Sequence, residues 1–374
     1  MLKGFYLTLM MGPVLAVPVP QPVTDALTSV QITVSAGQRS GFQLTFALSK
    51  QSLLSRTLIP AGFFDPKIRV IIVVTLNSTP TVLMDGIITR QEITPSSEPA
   101  QSTLTVTGED LSVLMDLEDK TGAAFPAMPA GVRVLKILAS YAVYGIVPLV
   151  VSELFPFLPI PVTKTPAQKG TDLAYIKKMA EDNAFVFYID PGPVPGASVA
   201  YWGPEIRIGV PQSALNINMD AFTNVESLSF SFDGLSATQF AVHFQEPNTK
   251  LSISIPLPSI SLLRPPLALK QAPALKQEPF EGIAKFDVTQ ILSLGLSKTA
   301  ASADAVTGSG QLDVLRYGQI LQARHLVGVR GVGMAYDGLY YVKSVTHNIK
   351  RGEYKQSFSL TRNGLIPLTP RVIP

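Results

Sequence analysis

The chain has 374 residues, 46% of them apolar and only 15% charged, with no cysteine and a formal net charge of +3. No apolar run approaches the ~20 residues of a membrane helix, no basic stripe of the nucleic-acid-binding kind is present, and disulfides, thiolate nucleophiles and cysteine metal sites are excluded. An ordinary soluble domain is about a quarter charged, so a mean hydropathy of +0.28 predicts a subunit whose surplus apolar surface lies in protein–protein contacts.

Two readings stand for the N-terminus: Lys3 and the apolar residues from Phe5 to Val17 imitate a signal peptide, or they form a first strand leading into the proline-rich connector Pro18–Pro22. Period-two alternation then marks strands at Val30–Val34 and Phe42–Leu48. The β-branched run Arg69–Leu76 reads as a strand covered on both faces. A turn at Asn77–Pro80 precedes Val82–Met84, and a second turn is expected at Asp85-Gly86, followed by strands Ile87–Ile93 and Leu104–Thr107.

Helical spacing appears at Glu109–Asp119, at Val132–Tyr141 and most clearly at Asp172–Asp182, where Thr171 is the expected N-cap and Leu173, Ile176, Met179 and Ala180 line one face. Strands Phe185–Asp190 and Val199–Trp202 flank a Pro-Gly turn. This middle part reads as an α/β insert. From Phe222 strands resume at Val225–Phe232 and Gln239–Phe244; prolines crowd Ser254–Glu281 as an extended excursion, and Ala300–Gly310 reads as a linker. The last sheet is expected to open at Gly318–Arg324.

The segment from Met84 to Gly108 is echoed by that from Tyr336 to Gly364: in each, Asp-Gly (Asp85-Gly86, Asp337-Gly338) leads into a strand, a polar loop follows, and an alternating strand closes near a glycine. This predicts one β module used twice, in an α+β, mainly β chain. The divisions are a first β-barrel at 1–115, the insert at 116–215, a second barrel at 216–365 interrupted at about 251–310, and a tail at 366–374.

Catalytic signals are wanting. His243, His325 and His347 lack metal-type neighbours, and Asp116, Glu118 and Asp119 read as a solvated helix end. No Gly-x-Ser-x-Gly elbow occurs, and Gly328–Gly333 lacks the Gly-Lys-Ser/Thr of a phosphate loop. Asn77-Ser78-Thr79 matches a glycosylation acceptor, and Tyr201-Trp202 reads as a hairpin anchor or, if exposed, a stacking platform. No catalytic, metal or cofactor-binding residue is assigned.

Gly338–Ile349 followed by Tyr354–Gly364, the middle piece Thr171–Ile176 continuing through Ala180–Gly192, and Val106–Ser112 together resemble the baseplate hub proteins of contractile phage tails and injection systems, the late-control D family. The resemblance implies two tube-like barrels flanking an α/β insert, a homotrimer forming a pseudo-sixfold ring, and no cofactor. Its implied partners are a sixfold inner tube protein, a separate threefold spike protein and other baseplate subunits. It also implies assembly in the bacterial cytoplasm before incorporation into the particle. The proline-rich excursion maps to nothing in that family. The alternative is a secreted β-rich binding protein using Tyr201-Trp202; a hydrolase would need an acid/base pair that the sequence does not offer.

Overall fold

The computed structural model describes residues 4–97, 101–152, 166–245, 252–256, 264–279, 291, 294–295, 298–299 and 302–368. Part of the proline-rich stretch and the tail from 369 onward therefore lie outside the described residues. The chain is mainly β and divides into two compact units. The first comprises Met1–Met179, Val186–Gly203 and Thr346–Gln356; the second comprises Ala180–Phe185, Pro204–Val345 and Ser357–Pro374.

In the first unit the strands are β1 (Phe5–Gly12), β2 (Val17–Pro18), β3 (Leu27–Ser35), β4 (Gly41–Leu48), β5 (Arg69–Leu76), β6 (Thr79–Thr94) and β7 (Ser102–Asp110). They follow the spatial order β3-β4-β7-β6-β5-β1-β2. The apolar N-terminal stretch is a strand here, antiparallel to β5 along its whole length. β5 is buried at every position but Thr75, as expected of an apolar run with neighbours on both edges. Asn77 and Ser78 both take positive φ, which turns β5 into β6.

The insert elements α2 (Ala130–Ala139), β8 (Ile146–Val150), α3 (Asp172–Asp182), β9 (Val186–Pro191) and β10 (Ser198–Gly203) follow α1 (Gln21–Ala26) in chain order. β10 pairs parallel with β8 and antiparallel with β9. Leu173, Ile176, Met179 and Ala180 are buried along α3, and the Thr171 hydroxyl accepts from the Ala174 N–H at 3.2 Å, the predicted cap. The helix expected at Glu109–Asp119 is shorter: β7 runs to Asp110, whose side chain caps a single 3-10 segment, Leu111–Asp116.

The second unit contains β11 (Gln212–Asn216), β12 (Val225–Phe232), β13 (Thr238–Gln245), β14 (Ser252–Pro256), β15 (Ala268–Gln271), β16 (Lys276–Pro279), β17 (Val306–Asp313), α4 (Val314–Tyr317), β18 (Leu326–Arg330), β21 (Gly364–Pro367) and the parts of β19 (Gly338–Lys350) and β20 (Glu353–Arg362) outside Thr346–Gln356. Its main sheet runs β12-β17-β20-β19, and β18 joins β19 to β11. Two expectations are corrected. Residues 306–313 are strand β17, not linker; a Cβ at Gly308 would strike the Phe230 ring, and one at Gly310 the Ser227 carbonyl and the Phe358 ring. Gly318–Arg324 is not a strand, and the sheet resumes at Leu326. β11 pairs with β18 and lies in the second unit. Among the described residues neither set of strands closes on itself.

Candidate functional site

The two Asp-Gly pairs mark different constructions. Asp85 and Gly86 do not form a turn: they lie inside β6, opposite Ile71 and Val70. The Asn77-Ser78 turn already reverses the chain, and β6 runs uninterrupted through the dipeptide. Arg69, the first residue of β5, donates from Nε and Nη2 to the two oxygens of Asp85, both at 2.7 Å. Nη1 and Nη2 also donate to the carbonyls of Val14 and Gly196, and the Ser198 hydroxyl donates to Asp85 at 2.9 Å. Both charged side chains are buried. A Cβ at Gly86 would collide with the Glu109 carbonyl. This is a buried bidentate pair, which fixes β5, β6 and the start of β10.

Asp337 and Gly338 do end a turn. The Asp337 Oδ1 accepts from the N–H groups of Val332 and Gly333 at 2.9 and 3.2 Å, closing the loop by side-chain-to-backbone bonds. Gly338 has φ +117°, where a side chain would be strained. Arg362, fully buried, donates to the carbonyls of Gly364, Asp337 and Ala335 at 2.7–2.8 Å and lies 4.4 Å over the Tyr340 ring. Burial pulls its pKa below the ordinary arginine value. The Tyr340 hydroxyl donates to the Tyr336 carbonyl. Loop 331–337 is thus fastened from beneath, with Met334 exposed at its tip.

Elsewhere in the second unit Arg207 forms two 2.7 Å bonds to Asp304 and stacks 4.6 Å over Tyr341, while Arg264 pairs with Glu205 at 2.7 Å. Burial alone would lower the Arg207 pKa, but the bond to Asp304 and the nearby Glu205 hold it raised. These contacts tie Asp304 within the predicted linker, and Arg264 within the proline-rich stretch, to the segment around residue 206.

The remaining sequence candidates are structural. Asp116 pairs with Arg39 and accepts from Thr171; Asp119 accepts from the Thr121 N–H, and Glu118 is exposed. Asp116 and Asp119 thus serve different local partners, not one paired-carboxylate site. His347 is buried against Tyr354 and Gln356, and His325 Nδ1 lies 2.9 Å from the Ala323 carbonyl. The His243 side chain lies outside the described positions. Trp202 and Tyr201 are buried in β10, so they form an anchor and not a platform. Among the described residues no group of acidic, histidine or cysteine side chains could hold a metal. Sequence reading missed Arg69, Arg207 and Arg362. For Arg69 and Arg362 the available signal was a lone arginine opening or closing a run that must be buried, which demands a partner; Arg207, between the exposed Ile206 and Ile208, carried no such signal.

No protein-family model matches the sequence, and no curated protein matches it. Solved structures do match in fold over nearly the whole chain. The tail protein from Neisseria meningitidis MC58 aligns with a TM-score of 0.65 at 13% identity, over 97% of this chain and 98% of that one. The 43 kDa tail protein of prophage MuSo2 from Shewanella oneidensis gives 0.62 at 13%, over 96% and 99%. The E. coli c3393 protein, a component of the type VI secretion system, gives 0.51 at 11%, over 92% and 77%. The chain has the fold of phage tail proteins, and that fold extends to a component of a secretion system.

Proposed function

We propose that this chain is the structural hub of a contractile tail or injection-system baseplate. In this reading three copies form a ring of pseudo-sixfold symmetry, because each contributes two tube-like β parts, residues 1–115 and 216–365, around the α/β insert. Such a ring adapts a sixfold inner tube to a threefold spike. The observation that carries the proposal is the fold likeness to tail proteins over almost the full length of both chains. Exposed apolar side chains such as Tyr6, Leu15, Val210, Phe222 and Met334 support a subunit with surface to bury. The chain acts without catalysis or cofactor: it is assembled in the bacterial cytoplasm, meets tube, spike and other baseplate proteins in the particle, and is driven outward with them on contraction. Burial of Trp202 removes the platform on which the secreted-binder alternative rested.

Light scattering of the purified chain at several concentrations, with electron micrographs of the product, tests this. Trimeric rings are expected, and rings should also appear when a trimeric spike is added to dilute chain. A chain that stays monomeric in both settings overturns the reading.

A further inference from the structure

Between Asp119 and Glu153 the chain carries three basic residues, Lys120, Arg133 and Lys136, and no acidic one. Lys120 is neutralised within the insert, where its Nζ lies 2.6 Å from the Asp172 carboxylate. The two cations of α2 are not. Arg133 donates to the Tyr175 hydroxyl at 2.6 Å, and the Lys136 Nζ lies 5.3 Å from the centre of the Phe125 ring. Those two rings stack on each other, 5.8 Å apart with their planes 18° from parallel. Among the described residues neither cation meets a carboxylate.

An ordinary surface helix buries one stripe and turns charged and polar side chains to water on the opposite face. α2 buries Val134, Ile137 and Leu138. Its outer face carries Val132, Leu135 and Ala139, all exposed, at the i, i+3, i+7 spacing of a second apolar stripe. Lys136 and Arg133, themselves i, i+3 neighbours, border that stripe along one side. The helix thus shows water a face that is half apolar and, at its border, of a single sign of charge.

We infer that the outer face of α2 is a docking surface, and that the partner it fits is an acidic amphipathic helix of another protein. Apolar side chains of such a helix follow the stripe at its own period and cover Val132, Leu135 and Ala139, while carboxylates along its flank meet Arg133 and Lys136. The stacked rings hold both cations in place beforehand, so little side-chain freedom is lost when the carboxylates arrive. Charge selects among the occupants. A second copy meeting face to face would set Arg133 and Lys136 against the same pair. Residues 153–165 carry one acidic and one basic residue, Glu153 and Lys164, and bring no net charge. A nucleic acid would satisfy the cations and leave the apolar stripe bare. The face belongs to a single chain, whether or not rings form.

Because the chain has no cysteine, Leu135→Cys places a single thiol on the stripe. N-ethylmaleimide should label it rapidly at every chain concentration. Slow labelling at every dilution would mean that the chain covers the face itself, and slow labelling only in concentrated solution that a second copy does; either overturns the inference. In a second arm the wild-type chain is titrated with three fluorescent synthetic helices of equal length. One has a Leu stripe flanked by Glu, one the same stripe flanked by Lys, and one the Glu flanks with Ser in place of Leu. Anisotropy should show binding of the first alone, and the Arg133→Glu/Lys136→Glu chain should exchange it for the second. Lys136→Glu by itself keeps the Arg133–Tyr175 bond, so it guards against misfolding of the double variant; it should weaken the Glu–Leu helix about tenfold at low salt. No binding of that helix, equal binding of the Glu-flanked and Lys-flanked helices, or a preference untouched by charge reversal would each overturn the inference.

Discussion

Arg69 in the first unit and Arg362 in the second are both almost wholly removed from water, yet they are kept charged by different means. Arg69 faces a carboxylate fork; Arg362 is held by three carbonyl dipoles and the face of an aromatic ring. A full counter-charge makes the first site strong but brittle, because removing either partner strands the other. Dipoles share the burden among several groups, so the second site loses stability by portions. His347 provides a third solution, a base buried by staying neutral.

The largest effect is expected at the first site. Asp85→Ala leaves a buried guanidinium without its carboxylate and should cost about 3–5 kcal/mol in chemical denaturation. The double variant Arg69→Met with Asp85→Leu should recover most of that loss. A single variant as stable as wild type would end the distinction between the two arginines.

His347 gives the next. Its Nδ1 lies 2.7 Å from the Tyr354 hydroxyl and 3.3 Å from the Gln356 amide nitrogen. Burial pushes the imidazole down to about 4 from its ordinary 6.5. Between these values the unfolded chain binds a proton that the folded chain refuses. The contribution is therefore intact above pH 6.5 and is lost as pH falls toward 4, by about 3 kcal/mol at most. The gap in stability between wild type and His347→Gln, followed across that window, isolates this group from the carboxylates. A constant gap would mean that His347 titrates normally.

Arg362→Met should be milder, about 2 kcal/mol: it keeps bulk over Tyr340 but frees carbonyls of a loop that water can reach. Its signature is faster hydrogen exchange at Val332 and Gly333, with β5 and β6 unchanged. A loss as large as that of Asp85→Ala would show that carbonyl dipoles leave this cation as exposed to failure as a missing carboxylate does.

Much of this was legible in the residues. The strands announced themselves by period, α3 by its apolar face and by Thr171, and β5 by an unbroken β-branched run that only a twice-covered strand tolerates. Asp85-Gly86 misled because the dipeptide favours turns locally, while the outcome was set by Asn77-Ser78 upstream and by a buried arginine 16 residues away in sequence. β17 was hidden for the opposite reason: its glycines lower strand propensity, and what explains their presence is the close approach of distant groups, the Phe230 ring at Gly308 and the Ser227 carbonyl with the Phe358 ring at Gly310. Pairing between distant segments decides such positions, and local composition carries little trace of it.

The smallest predicted effect separates the two aspartates most cleanly. Asp→Asn keeps one carbonyl oxygen and removes the charge. At Asp337 the task is to accept two backbone N–H bonds through one oxygen, which an amide oxygen also does, so Asp337→Asn should cost under about 1 kcal/mol. At Asp85 the same change removes the charge facing Arg69 and turns an amide N–H toward a guanidinium N–H, so about 3 kcal/mol is expected. Because the two substitutions are chemically identical, the difference between their denaturation midpoints reports only what each site asks of its carboxylate. Equal losses would mean that Asp337 also supplies charge to its unit, with its field reaching Arg362 through the loop, and the second arginine would then belong with the first.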